Sequence, residues 1–183
     1  MAIIRKRYFK TPGDQDPNDI ALIDTPEKLL KFAELQGLKV IPLDVEGVAK
    51  KFGILVEYFS MEEHISGIVK KDESSNKWII RVNKDHHPNR QRYTIAHELG
   101  HFCLHKHLSH FFEDHIFFRG TESSKVEWQA NDFASAILMP EQEFRGELRS
   151  GKRKVEELAK EFQVSTLALR IRAKNLGMSG HGL

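Results

Sequence analysis

Apolar residues recur along this chain with two different periods, and the change of period divides it into elements. Leu29, Leu30, Phe32, Ala33 and Leu35 stand at helical spacing after Thr25-Pro26-Glu27. Thr25 suits an N-cap, Pro26 the first helical position and Gly37 the stop. A second helix is expected from Pro42-Leu43-Asp44, with Val45, Val48, Ala49 and Phe52 on one face and Gly53 as its end. The period then shortens. Residues 54–59 read as a strand, and 65–70 with 77–83 read as a hairpin joined by Asp72-Glu73-Ser74-Ser75-Asn76. After Pro88-Asn89 a longer helix is expected, from about residue 90 to 106. Thr94, Ile95, Ala96, Leu99, Phe102, Cys103 and Leu104 make it apolar nearly all round, which predicts burial. Another helix runs through residues 126–138, and a short one starts at Pro140-Glu141-Gln142-Glu143-Phe144. Residues 155–177 read as two short helices joined at Gln163-Val164-Ser165, with Ser165 as N-cap and a helix-turn-helix look.

These elements predict an α+β fold. A small antiparallel three-stranded sheet packs on the buried helix and on further helices, and a helix-turn-helix-like segment ends the chain. The expected organisation is a polar, turn-rich arm over residues 1–24, a main domain over 25–140 and a C-terminal helical segment over 141–183. The helices on either side of Gly37 are expected to flank the sheet.

The chemistry sits in the buried helix. Its centre reads His97-Glu98-Leu99-Gly100-His101. Residues four apart share a helix face, so His97 and His101 can offer two imidazole nitrogens to one metal ion. Glu98, beside His97, can take a proton from a water on that metal, the arrangement of a zinc peptidase. Buried histidines and a glutamate need partners, because an unpaired polar group there costs about 1–3 kcal/mol. A catalytic zinc site takes a third protein ligand. Glu127, 26 positions beyond His101, is the best candidate, in the first turn of a helix that Ser123 or Ser124 can cap. Glu122 and Asp132 are weaker candidates. Asn131 shares Glu127's face and can hydrogen-bond the back nitrogen of His97 or His101. His105 lies about 12 Å along the axis from His97, too far for one ion to bind both, so it is expected to pack or to support a ligand.

Composition narrows the picture. The 183 residues carry a net charge of +2, too little to argue for nucleic acid by itself. The one cysteine, Cys103, excludes an internal disulfide, reads as a buried inert thiol and suits a reducing cytoplasm. No apolar run is long enough for a membrane span, and no leader segment is expected. The stretch 107–122 is rich in His and Phe and is a candidate lid over the cleft. An added substrate strand is expected on one edge of the hairpin. Arg170, Arg172 and Lys174 on the last helix leave DNA contact as a rival reading.

Arg90-Gln91-Arg92-Tyr93-Thr94-Ile95-Ala96-His97-Glu98-Leu99-Gly100-His101, then Leu104-His105, then Glu127 with Ala130-Asn131, Phe133-Ala134 and Leu138-Met139-Pro140, closely resemble the ImmA/IrrE family of metallo-endopeptidases. The resemblance covers roughly residues 25–176 and implies a compact gluzincin-like enzyme with His97, His101 and Glu127 on Zn2+ and Glu98 as the base. Gluzincins generally carry Asp where this chain has Asn131, and a neutral amide polarises a ligand histidine less. The family also implies a substrate: a helix-turn-helix repressor, cut to release genes of a mobile element or stress response. The alternative is a metal-bearing regulator that binds a repressor or DNA without proteolysis.

Overall fold

In a computed structural model of the protein, the described residues are 20–108, 111–113, 121–149 and 154–178, with the backbone alone for 111–113 and 121–124. Of the expected N-terminal arm, residues 1–19 lie outside the described residues. Its last part packs: Ile20–Leu22 form one 3-10 turn and Ile23 is buried.

The first helix, α1 (Pro26–Leu35), starts as its sequence predicts, with the Thr25 hydroxyl accepting from the Lys28 N–H at 3.3 Å. In α2 (Val45–Lys51) the Asp44 carboxylate caps the Gly47 N–H at 2.9 Å. Each cap satisfies an amide that a helix start otherwise leaves open. Three strands follow: β1 (Leu55–Phe59), β2 (Gly67–Lys71) and β3 (Trp78–Asn83). Then come α3 (Pro88–His105), β4 (Phe111–Glu113), α4 (Thr121–Leu138), α5 (Glu141–Arg149), α6 (Val155–Phe162) and α7 (Thr166–Asn175).

The α+β architecture is the expected one, but the sheet differs from expectation in two ways. It has four strands in the order β1-β3-β2-β4, and β1 runs parallel to β3. The expected sheet had three strands, all antiparallel. Alternation of apolar residues marks a strand without marking its neighbour. The chain after β1 passes β3's place, forms β2, and returns through the hairpin, so β1 and β3 end side by side pointing the same way. The fourth strand comes from the His- and Phe-rich connector, where residues 111–113 pair antiparallel with Ile68, Val69 and Lys70 of β2. Both hairpin strands are therefore interior, and the edge for an added strand that the sequence placed there is already taken. Among the described residues, the outer strands are β1 and β4.

One face of the sheet packs on α3. A chain of aromatic rings ties the layers together: Phe32 of α1 meets Phe52 at 5.1 Å between ring centres, Phe52 meets Phe102 at 5.8 Å, and Phe102 meets Trp78 of β3 edge-on at 5.4 Å. Such pairs are worth about 0.5–1.5 kcal/mol each beyond their burial. The core continues without a break into the C-terminal helices through Phe144, Leu148, Leu158, Phe162 and Leu169. Polar contacts cross the same junction: Arg172 Nε donates to the Met139 carbonyl at 3.2 Å, and Asn89 Nδ2 donates to the Val164 carbonyl at 3.0 Å.

Candidate metal centre

Helix α3 begins well before its buried run, which starts at Thr94. Pro88 takes the first position, and His87 Nδ1 accepts from the Asn89 N–H at 3.1 Å. Every residue from Thr94 to Cys103 is buried. The sheet covers one side of this stretch and α4 the other, which explains why no polar face interrupts it. Two glycines let the layers close. A Cβ on Gly67 of β2 would lie 2.4 Å from Thr94 Cγ2 and 2.8 Å from the Arg81 carbonyl oxygen, with Glu98 Oε1 next at 3.6 Å. A Cβ on Gly100 would lie 3.0 Å from the Ala130 carbonyl oxygen and 3.1 Å from Ala130 Cα. The first glycine brings β2 onto Glu98, and the second brings α4 onto α3.

The close α3–α4 approach delivers Glu127 to the two histidines. His97 Nε2 and His101 Nε2 are 3.0 Å apart, Glu127 Oε2 is 3.2 Å from the first, and Glu127 Oε1 is 3.3 Å from the second. Among the described residues this is the one group of histidine, cysteine or carboxylate side chains placed to hold a metal ion. Ligand atoms at about 2.0–2.1 Å from a tetrahedral ion stand about 3.3–3.4 Å from one another. The observed separations are close to that. Two imidazoles and one carboxylate are also the donor set of a catalytic site that keeps a position open. Glu98, fully buried, adjoins this cluster without being part of it.

Electrostatics fit a cation. Burial raises the Glu127 carboxyl, but hydrogen bonding and charge from His101 and His97 outweigh it and hold the group at about 2. It is thus ionised and acceptor-only across ordinary pH. His105 stands behind His101, with Nδ1 3.3 Å from His101 Nδ1 and Nε2 3.2 Å from Gln129 Oε1. Burial lowers its pKa, opposed by the Gln129 bond. Cys103 is buried, and burial pushes its thiol up to about 12, an inert group as its position predicts.

Several sequence-level expectations are placed differently. Helix α4 starts at Thr121, so Glu127 lies in its second turn and Ser123 and Ser124 are inside the helix rather than capping it. Asn131 is exposed, and its side chain makes no hydrogen bond to His97 or His101. Its backbone carbonyl instead accepts from the Tyr93 hydroxyl at 3.3 Å. Asp132 lies outside the cluster, in a groove lining, and the Glu122 side chain lies outside the described residues. So do residues 114–120 of the expected lid. Gln129 and the two close-approach glycines were missed. An isolated glycine inside a strand or helix pattern signals close backbone approach, so Gly67 and Gly100 left a trace; Gln129 left none.

The C-terminal helices turn at Gln163, whose φ of 52° is left-handed, and Ser165 caps α7 by accepting from the Ala168 N–H at 3.0 Å. Arg172, counted above among basic residues facing DNA, is buried and committed to Met139. The exposed side of α7 carries apolar Leu167 and Ile171, which with Trp128 and Tyr93 line a groove of 1310 Å³ between α3, α4 and the last two helices. Arg170 and Lys174 stay exposed on the same helix, so of the three basic residues the fold withdraws Arg172. No helix among the described residues is long and apolar enough to cross a membrane.

The chain is similar to known proteins. Over 74 residues the chain is 32% identical to Metallopeptidase ImmA of Bacillus subtilis (strain 168), an alignment covering 40% of this chain and 41% of that protein. A Mycobacterium tuberculosis transcriptional regulator shares the fold with a TM-score of 0.60 at 16% identity, over 92% of this chain and 55% of that one. The chain thus spans about half the length of the relatives it matches. The model of the peptidase family described as the IrrE N-terminal-like domain matches residues 49–174, from α2 through α7. With that match over more than half its length, the chain belongs to the IrrE N-terminal-like domain family of peptidases.

Proposed function

We propose that this protein is a zinc-dependent endopeptidase of the cytoplasm whose substrate is a helix-turn-helix transcriptional repressor. The observation that carries the reading is the convergence of His97, His101 and Glu127 on one point beside the buried carboxylate of Glu98. The family and the name of the Bacillus subtilis relative support metallopeptidase chemistry. The resemblance of the motif residues to repressor-cleaving enzymes supports the substrate, and its cutting would derepress genes of a mobile element or stress response. The division of labour proposed for the chain is a peptidase domain over residues 25–140 and a helical segment beyond it.

His97, His101 and Glu127 would hold the ion. When bound, zinc supplies Lewis acidity, making water a nucleophile near neutral pH and polarising the peptide carbonyl. Glu98 takes the proton as the water attacks the scissile carbonyl and returns it to the departing amine, so one peptide bond and one water become a carboxyl and an amine. Burial at the foot of β2 holds the Glu98 side chain in place through this transfer. An extended substrate would add to the sheet at an outer strand, β1 or β4, since both hairpin strands are interior.

Glu98→Gln tests this reading against binding without proteolysis. It removes the proton acceptor and keeps the shape, so the variant should retain its metal and lose at least about 100-fold in cleavage of a helix-turn-helix repressor followed by mass spectrometry. A variant that still cut at the wild-type rate would remove Glu98 from the chemistry.

A further inference from the structure

The metal centre leaves a question at the back of His101. A neutral imidazole that binds a metal through Nε2 carries its proton on Nδ1. His101 Nδ1 faces another ring nitrogen, His105 Nδ1, at 3.3 Å. Two facing nitrogens hold one proton between them, so His105 has to present a lone pair there. The proton of neutral His105 then sits on Nε2. That atom lies 3.2 Å from Gln129 Oε1, an oxygen that only accepts. Each link sets the next, and the direction of donation runs outward from the metal centre: His101 Nδ1–H to His105, then His105 Nε2–H to Gln129.

We propose that His105 and Gln129 are positioning residues that lock the tautomer and ring orientation of His101 for metal binding. The proposal rests on the metal-centre reading of His97, His101 and Glu127. Ligand histidines commonly donate to a carboxylate, a backbone carbonyl or water. Here the acceptor is a second imidazole one helical turn further along α3, buried at 4% exposure, with an amide of α4 holding it in turn. The arrangement explains a buried histidine in contact with a metal-site histidine that cannot itself reach the metal. It also gives α4 two contributions within three residues: Glu127 toward the ion and Gln129 toward the support of the opposite ligand.

The test uses the full chain, with zinc affinity measured by competition against a chromophoric chelator and histidine tautomers read by nitrogen-15 NMR. In the zinc-loaded wild type, His101 should be protonated at Nδ1 and His105 at Nε2. Gln129→Leu and His105→Leu should each weaken zinc binding by about 10- to 100-fold. His105→Gln, which keeps an acceptor oxygen, should bind more tightly than His105→Leu. Gln129 is only partly buried, so its variant keeps the test open if a His105 variant fails to fold. The opposite tautomer on either ring would overturn the relay. So would equal affinities for His105→Gln and His105→Leu, or a Gln129→Leu affinity within twofold of wild type. A wild type that takes up no zinc would instead remove the metal reading, and the relay with it.

Discussion

Glu127 shows most clearly what one residue contributes here. Its carboxyl sits at about 2 against an ordinary value of 4.5, despite burial that pushes the other way, because His101 and His97 surround it. A carboxyl lowered on folding stabilises the fold above its unfolded value and loses that contribution as pH falls through the folded one. In chelator-stripped protein the stability difference between wild type and Glu127→Gln should therefore be full above about pH 4.5 and fade as pH approaches 2. Urea midpoints across that range measure it, and a difference that ignores pH would mean the histidines do not hold this carboxylate. That His97, His101 and Glu127 come together could be expected from the sequence: a four-residue spacing on a helix, and a glutamate far enough on to return. Gln129 and the true orientation of Asn131 could not. Their roles depend on how α4 rotates against α3, which no spacing within either helix states.

At the scale of elements, the α3–α4 pair is the structural unit of the site, and Gly100 sets its closeness. A methyl group there meets the backbone of Ala130 rather than a side chain that can swing away. Gly100→Ala should force the helices apart by a few tenths of an ångström and cost about 1–3 kcal/mol in overpacking. Because Glu127 rides on the moving helix, zinc affinity should fall along with the melting temperature. Unchanged affinity in a destabilised variant would show that the ligands adjust independently of the helix spacing. Helices were the more legible elements: Thr25 and Ser165 cap as expected, since a cap is a local event, while α2 starts later than Pro42, at Val45 behind the Asp44 cap. The sheet was legible only as strands. Which strand neighbours which is decided by long-range packing, and so the parallel β1–β3 pair and the short β4 emerged only in three dimensions.

For the whole molecule, a continuous core binds the C-terminal helices to the rest, and the burial of Arg172 in that junction takes away a cation that the sequence alone offered to DNA. The helix-turn-helix look was a correct reading of local geometry, because a left-handed Gln163 and a Ser165 cap produce that turn wherever they occur. Its functional implication depends on which side chains face outward, and those mix apolar Leu167 and Ile171, beside a groove, with basic Arg170 and Lys174. The proposed function rests on one metal ion held by His97, His101 and Glu127. Elemental analysis of the purified chain beside His97→Ala tests it most directly. The account predicts about one zinc per wild-type chain and little in the variant. No zinc in the wild type after zinc is supplied, or equal zinc in both proteins, would contradict it.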